Sequence, residues 1–201
     1  MTSKLALPLT AALAALSACS QEPPKPAVSS APAPAAETPF RPTATIQEIM
    51  DSMVDPSADY VWGSIGFVAT KKGVEDKTPH TDKEWATVRH NAMTVVEATN
   101  LLVMDGRKVA VTGRSLDEEE KGGIEDPAEI QKAIDANRAA FIRLAHGLHD
   151  AGMEMLKAID AKDLQAMDAA GEKLDAACEA CHRTFWYPNA VEPIQTLEPP
   201  K

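Results

Sequence analysis

Cys178-Glu179-Ala180-Cys181-His182 is the stretch from which the rest of the chain can be read. Two cysteines separated by two residues and followed directly by histidine form the attachment sequence of a c-type haem. Two thioethers tether the porphyrin and the imidazole binds its iron. The spacing has a mechanical reason, because residues three and four apart share a helix face. Cys178, Cys181 and His182 on a helix can therefore address one flat macrocycle. The flanks predict that helix: Leu164, Met167, Gly171, Leu174, Cys178, Cys181 and Phe185 recur at a spacing of about 3.6.

Two other chemistries use the same cysteine pair, a thioredoxin-like redox motif and half of a zinc site. The redox motif follows a strand in an α/β pattern, and no strand pattern precedes Cys178. Zinc needs further ligands, and the third cysteine, Cys19, has a different setting. Lys4 and the apolar run Leu5 to Leu16 read as an export signal. That run is about 12 residues, short of the roughly 20 that a spanning helix needs. Leu16-Ser17-Ala18-Cys19 resembles the lipobox of bacterial lipoproteins, which implies cleavage before Cys19 and lipid on its sulfur. The three cysteines are then committed, one to lipid and two to haem, with none left for a disulfide. An incidental cysteine behind an ordinary secretory signal is the alternative.

The expected organisation is a signal over 1–18, a lipidated Pro/Ala-rich tether over 19–43, a folded domain over 44–187 and a tail over 188–201. The tether cannot bury a core and favours extended conformations. At 44% hydrophobic the chain has material for one core, and its net charge of −10 argues against nucleic acid.

Four helices are predicted in the folded part. The first spans about Thr45 to Ala69, with Ile46, Ile49, Met50, Met53, Val54, Val61 and Val68 on its apolar side. Pro56 should kink it or restart it with Asp55 as N-cap. Thr81-Asp82-Lys83-Glu84 is a capping box that opens the second, with Asp105-Gly106 ending it. Asp126-Pro127 opens the third, whose stripe runs from Ile130 through Asn137 and Phe141 to Ile159. Asp160 to Asp163 turn into the fourth, and Tyr187-Pro188 stops it. The Gly-containing segment 106–125 is long enough to suggest a functional loop. The fold class is all-α: an antiparallel up-down-up-down four-helix bundle with haem c on its C-terminal helix.

A helical domain with a single Cys-x-x-Cys-His on its last helix resembles the class II c-type cytochromes, over roughly residues 44–187. That family contains cytochrome c-prime and its low-spin, Met-ligated relatives. The resemblance implies one covalent haem c, with Cys178 and Cys181 as tethers and His182 as the proximal iron ligand. Its distal ligand comes from helix one. Height along the bundle, at about 1.5 Å per residue, ranks the candidates. His182 lies roughly 6 Å from the haem pole, Met50 roughly 7.5 Å and Met53 near 12 Å. Met50 matches best and Met53 is second; five-coordinate iron stays open. Met104 is at the correct pole but on helix two. His146 and His149 come out nearly 30 Å away by the same rise, and His90 and His80 are also misplaced.

Cytochrome c-prime commonly has an aromatic residue and then arginine at the third and fourth positions after the haem histidine. Here Phe185 keeps the aromatic, Trp186 replaces the arginine, and Arg183 directly follows His182. This departure favours electron transfer over gas binding. The expected protein is a membrane-anchored periplasmic electron carrier and not an enzyme. Its partners are an unidentified redox protein and, through the lipid, a membrane; a homodimer stays open. A five-coordinate gas-binding protein and a structural accessory lipoprotein of a respiratory complex are the alternatives.

Overall fold

The computed structural model describes residues 39–113 and 126–189. The predicted signal, Cys19, the tether up to residue 38, the part of the central loop from 114 to 125 and the tail from 190 onward lie outside the described residues.

The first bundle helix is a composite: α1 (Ile46–Ile49), a π-helical turn (Met50–Val54) and α2 (Asp55–Trp62). Thr45 opens α1 with a capping box, its side chain accepting from the Glu48 N–H while Glu48 accepts from the Thr45 N–H. Asp55 is not an N-cap: the chain stays helical through Val54, and α-helix resumes at Asp55 with Pro56 in its first turn. The N–H of Asp55 reaches back to the Met50 carbonyl instead of stopping at Asp51. That wider turn is how a helix accepts a ring that lacks an N–H and crowds the carbonyl four residues earlier.

Helix one ends at Trp62, well before the predicted Ala69. Gly63 caps it, and Gly66, at φ 90°, turns the chain into an antiparallel hairpin of β1 (Phe67–Thr70) and β2 (Gly73–Asp76). Val68, predicted for the helix's apolar side, is exposed on β1. Gly63 weakens the helix at its end, and Gly66 in a left-handed conformation turns the chain away, which outweighs the helical spacing of a single valine.

The second helix, α3 (Asp82–Leu102), starts on the Thr81–Glu84 capping box as expected. The third is two helices. α4 (Pro127–Ala136) is capped by Asp126, whose carboxylate accepts from the Ala128 N–H. Asn137 leaves helical geometry at φ −133°, ψ 49°, and α5 (Arg138–Asp160) begins. Arg138 lies over the Phe141 ring at 5.5 Å and donates to the Val103 carbonyl, which fastens the start of α5 to the end of α3. The last helix, α6 (Leu164–Phe185), has Asp163 as its cap, accepting from the N–H groups of Gln165 and Ala166.

Composite helix one, α3, α5 and α6 form a four-helix bundle, with α5 packing on both α3 and α6, and α4 leaning on α5 and α6. At one end Ala44, Arg107, Arg138, Phe141 and Phe185 meet. At the other, Arg89 pairs with Asp160 at 2.7 Å and Lys162 with Asp82 at 2.6 Å. The core divides accordingly. One cluster holds Ile46, Ile49, Phe141, Leu148, Leu174 and Phe185, with both cysteines against it; the other holds Val61, Val88, Val96, Met155 and Met167. Burying each such large side chain contributes about 1.5–3 kcal/mol.

Candidate haem site

The periodicity of α6 places Cys178, Cys181 and His182 on one face near its C-terminal end, and that face borders a cavity of about 380 Å³. Helix one supplies Met50, Val54, Ala58 and Trp62 to the opposing wall. Leu144, Ala145 and Leu148 of α5, with Phe141 one turn earlier, provide a further apolar wall. The donor set fits a haem c: two thiols three residues apart, an imidazole beside the second and apolar sides for a planar macrocycle. Among the described residues no group of three or more His, Cys, Asp or Glu is arranged to hold a bare metal ion.

Local packing orients these groups. Trp186 and Tyr187 lie against His182, with ring centroids 5.8 and 6.0 Å away, and the N–H of Trp186 bonds the His182 carbonyl at 2.8 Å. Phe185 turns inward and meets Phe141 edge-on at 5.7 Å and 75°. Arg183 pairs with Glu179 at 2.6 Å, one helical turn back. The Tyr187 hydroxyl also donates to Glu179, and first this bond, then Arg183, hold that carboxyl below its ordinary range.

The cavity is electrostatically one-sided. Asp55, Asp59, Asp175 and Glu179 lie on its lining, and His182 is its one basic side chain among the described residues. Burial, then Asp175 and Asp55, push the Cys178 thiol up to about 11; burial and Cys178 push Cys181 up to about 12. Both sulfurs are free, protonated thiols in the polypeptide at neutral pH, a state of low nucleophilicity toward disulfide exchange.

Met50 shares the cavity with the haem motif; Met53 is half-buried beside it but not on its lining. Met104 is turned to Arg107, whose Nη2 donates to its sulfur at 3.3 Å. His146 and His149 are not on the lining, yet the long distance read for them needs correcting. Helix three restarts at Arg138, so they lie only two to three turns from the haem pole, next to Leu144 and Leu148. His146 is exposed and His149 half-buried, at the height of the cavity but off its lining.

Sequence reasoning missed Trp62, Leu144, Leu148, Asp175 and Arg107. Leu144 and Leu148 had an i, i+4 signal, and Asp175 sits one turn before Cys178. Arg107 had no local signal. It is 8% exposed and donates to the carbonyls of Ala44 and Leu101, binding the start of helix one to the end of α3. Burial lowers its pKa, but a guanidinium stays charged.

Comparison with curated proteins and with solved structures finds no significant match. Residues 110–186 match the family described as Cytochrome C'. The matched stretch takes in α4, α5 and α6 up to Trp186, and leaves helix one and Met50 outside it. That family binds haem c covalently, serves in electron transfer or gas binding, and is typically periplasmic. Among the described residues no helix is long and apolar enough to cross a membrane. The Cys-x-x-Cys-His helix lies inside the matched segment and is packed in a helical bundle, so over residues 110–186 the chain is similar to the class II c-type cytochromes.

Proposed function

We propose that this protein is a membrane-tethered, periplasmic carrier of single electrons, not an enzyme, whose one haem c is held by Cys178 and Cys181 and ligated by His182 and Met50. The observation that carries the reading is the convergence of Met50 with the three motif residues on one cavity lining, while Met53 stays off it. The bound haem supplies the one-electron chemistry. The chain's residues do the rest. Trp186 and Tyr187 steady the His182 ring. Leu144, Leu148 and Phe141 make the α5 wall apolar and so would exclude water from that side. The four lining carboxylates favour the more positive, oxidised centre and so lower the reduction potential, against the rise that a thioether ligand brings. In this reading Cys19 carries the lipid, the partner is a redox protein, nucleic acid is not a partner, and a homodimer is left to measurement.

Absorption spectra in both redox states test the ligand set. A low-spin ferric protein with the weak long-wavelength charge-transfer band of His/Met haem is expected. Met50→Ala should abolish that band, lower the potential and open the iron to carbon monoxide. Met53→Ala should leave the spectrum unchanged and cost about 1–2 kcal/mol, less than the 2–5 kcal/mol of a fully buried methionine. A wild type that is already high-spin and binds carbon monoxide readily refutes the ligand set and makes the protein a gas binder.

A further inference from the structure

Met50, Val54, Ala58 and Trp62 are spaced by four and line one cavity, with Asp55 and Asp59 of the same helix beside them; on an unbroken α-helix that spacing drifts steadily round the axis. At about 100° per residue, each step of four drifts about 40°, so Met50 would stand about 120° away from Trp62. The π-helical turn absorbs one residue. With the Asp55 N–H on the Met50 carbonyl, the separation falls to about 20°. The buried apolar residues of the composite helix tell the same story. Ile46, Ile49, Val54, Ala58 and Val61 would spread over about 180° of a plain helix, and the extra residue narrows them to about 80°.

Both flanks are anchored independently. The N–H groups of Ile46 and Gln47 donate to Lys108 and Val109 carbonyls at 2.8 and 2.9 Å, and Arg107 donates to the Ala44 carbonyl. On the far side Val61 is fully buried and the Trp62 indole donates to the Gly171 carbonyl at 3.4 Å. The two half-helices are thus fixed in registers that differ by one residue. Pro56 supports the wide turn, because a plain α turn would drive its ring into the Ser52 carbonyl.

We propose that the π-helical turn Met50–Val54 is the register device that carries Met50 onto the haem cavity, with Pro56 as its positioning residue. The proposal builds on the reading of Met50 as the distal ligand, but concerns where the side chain is put rather than whether it bonds. It predicts that the extra residue is removable. Deleting Ser52 together with Pro56→Ala, in the full haem-loaded protein, should convert the wide turn into a plain one and keep both flanks in register. The variant should fold, retain the wild-type sixth-ligand spectrum and show unchanged carbon monoxide affinity. A deletion inside an ordinary helix would instead rotate one flank by about 100°. An alanine inserted after Ser52 should displace Met50, with loss of the His/Met band and at least a tenfold gain in carbon monoxide affinity.

If the deletion variant fails to fold, or loses the band, the register argument is overturned. The fate of the ligand reading is separable. Should the wild type prove five-coordinate, the ferrous carbon monoxide forms of wild type and deletion variant are compared by nuclear Overhauser contacts from the Met50 methyl group to the haem meso protons. Contacts in both support the placement; absence in the wild type, or loss on deletion, refutes it. In the wild type a hydrogen-bond scalar coupling should link the Asp55 amide to the Met50 carbonyl, and a coupling to Asp51 instead would also refute it.

Discussion

Replacing Gly152 by alanine tests how closely α5 approaches α3, and Gly147 on the same helix provides the comparison. A Cβ on Gly152 would lie 2.7 Å from Cγ2 of Val96, whereas one on Gly147 meets nothing within 4 Å. Val96 is buried at 2% exposure, and a β-branched side chain in a helix has essentially one rotamer. It cannot step aside. Overpacking of this kind costs about 1–3 kcal/mol, set against the gain of about 1 kcal/mol that alanine has over glycine inside a helix. Gly152→Ala should therefore lose about 1 kcal/mol net, and Gly147→Ala should gain about 0.5–1 kcal/mol. In a chain of this size 1 kcal/mol moves the melting temperature by about 2–4 °C. Thermal melts of the haem-loaded proteins, followed by far-ultraviolet circular dichroism, should place the two variants on opposite sides of the wild type. If Gly152→Ala melts as high as Gly147→Ala, the helices are not in contact at Val96.

The half-buried thiols give the haem-free chain an alkaline weakness. Unfolded thiols ionise near their ordinary 9.0 while the folded ones stay protonated toward about 11 and 12. The native state binds more protons in that window, so stability falls as pH rises above 9, by about 1.4 kcal/mol per pH unit for each thiol. Urea midpoints at pH 8 and 10 measure it. The loss should vanish in Cys178→Ser/Cys181→Ser and in the haem-loaded protein, and an equal loss in that double variant would contradict it. For the membrane tether, Cys19→Ala should move the protein to the soluble periplasmic fraction, or leave an uncleaved precursor, without altering the haem spectrum. A wild type found wholly in the soluble fraction would remove the lipid from the proposal.

What the sequence by itself determined is what short-range chemistry dictates. Thr81 and Asp126 announced helix starts because a side-chain oxygen within three residues satisfies an N–H that the helix leaves open. Thr45-x-x-Glu48 carried the same signal and could have been read. Cys178, Cys181 and His182 were legible for a similar reason, since their spacing alone puts them on one face. The tertiary structure decided the rest. The break at Asn137, the end of helix one at Trp62, and the π-helical turn depend on contacts with chain far away in sequence: Arg138 on Val103, Ile46 on Lys108, Trp62 on Gly171. The site inherited that dependence. His146 and His149 were put too far from the haem pole because the start of α5 was not visible in its residues. Met50 was ranked first by its height in a bundle, but height says nothing of direction. Its direction comes from one surplus residue held between two anchored half-helices, a balance that no local pattern encodes.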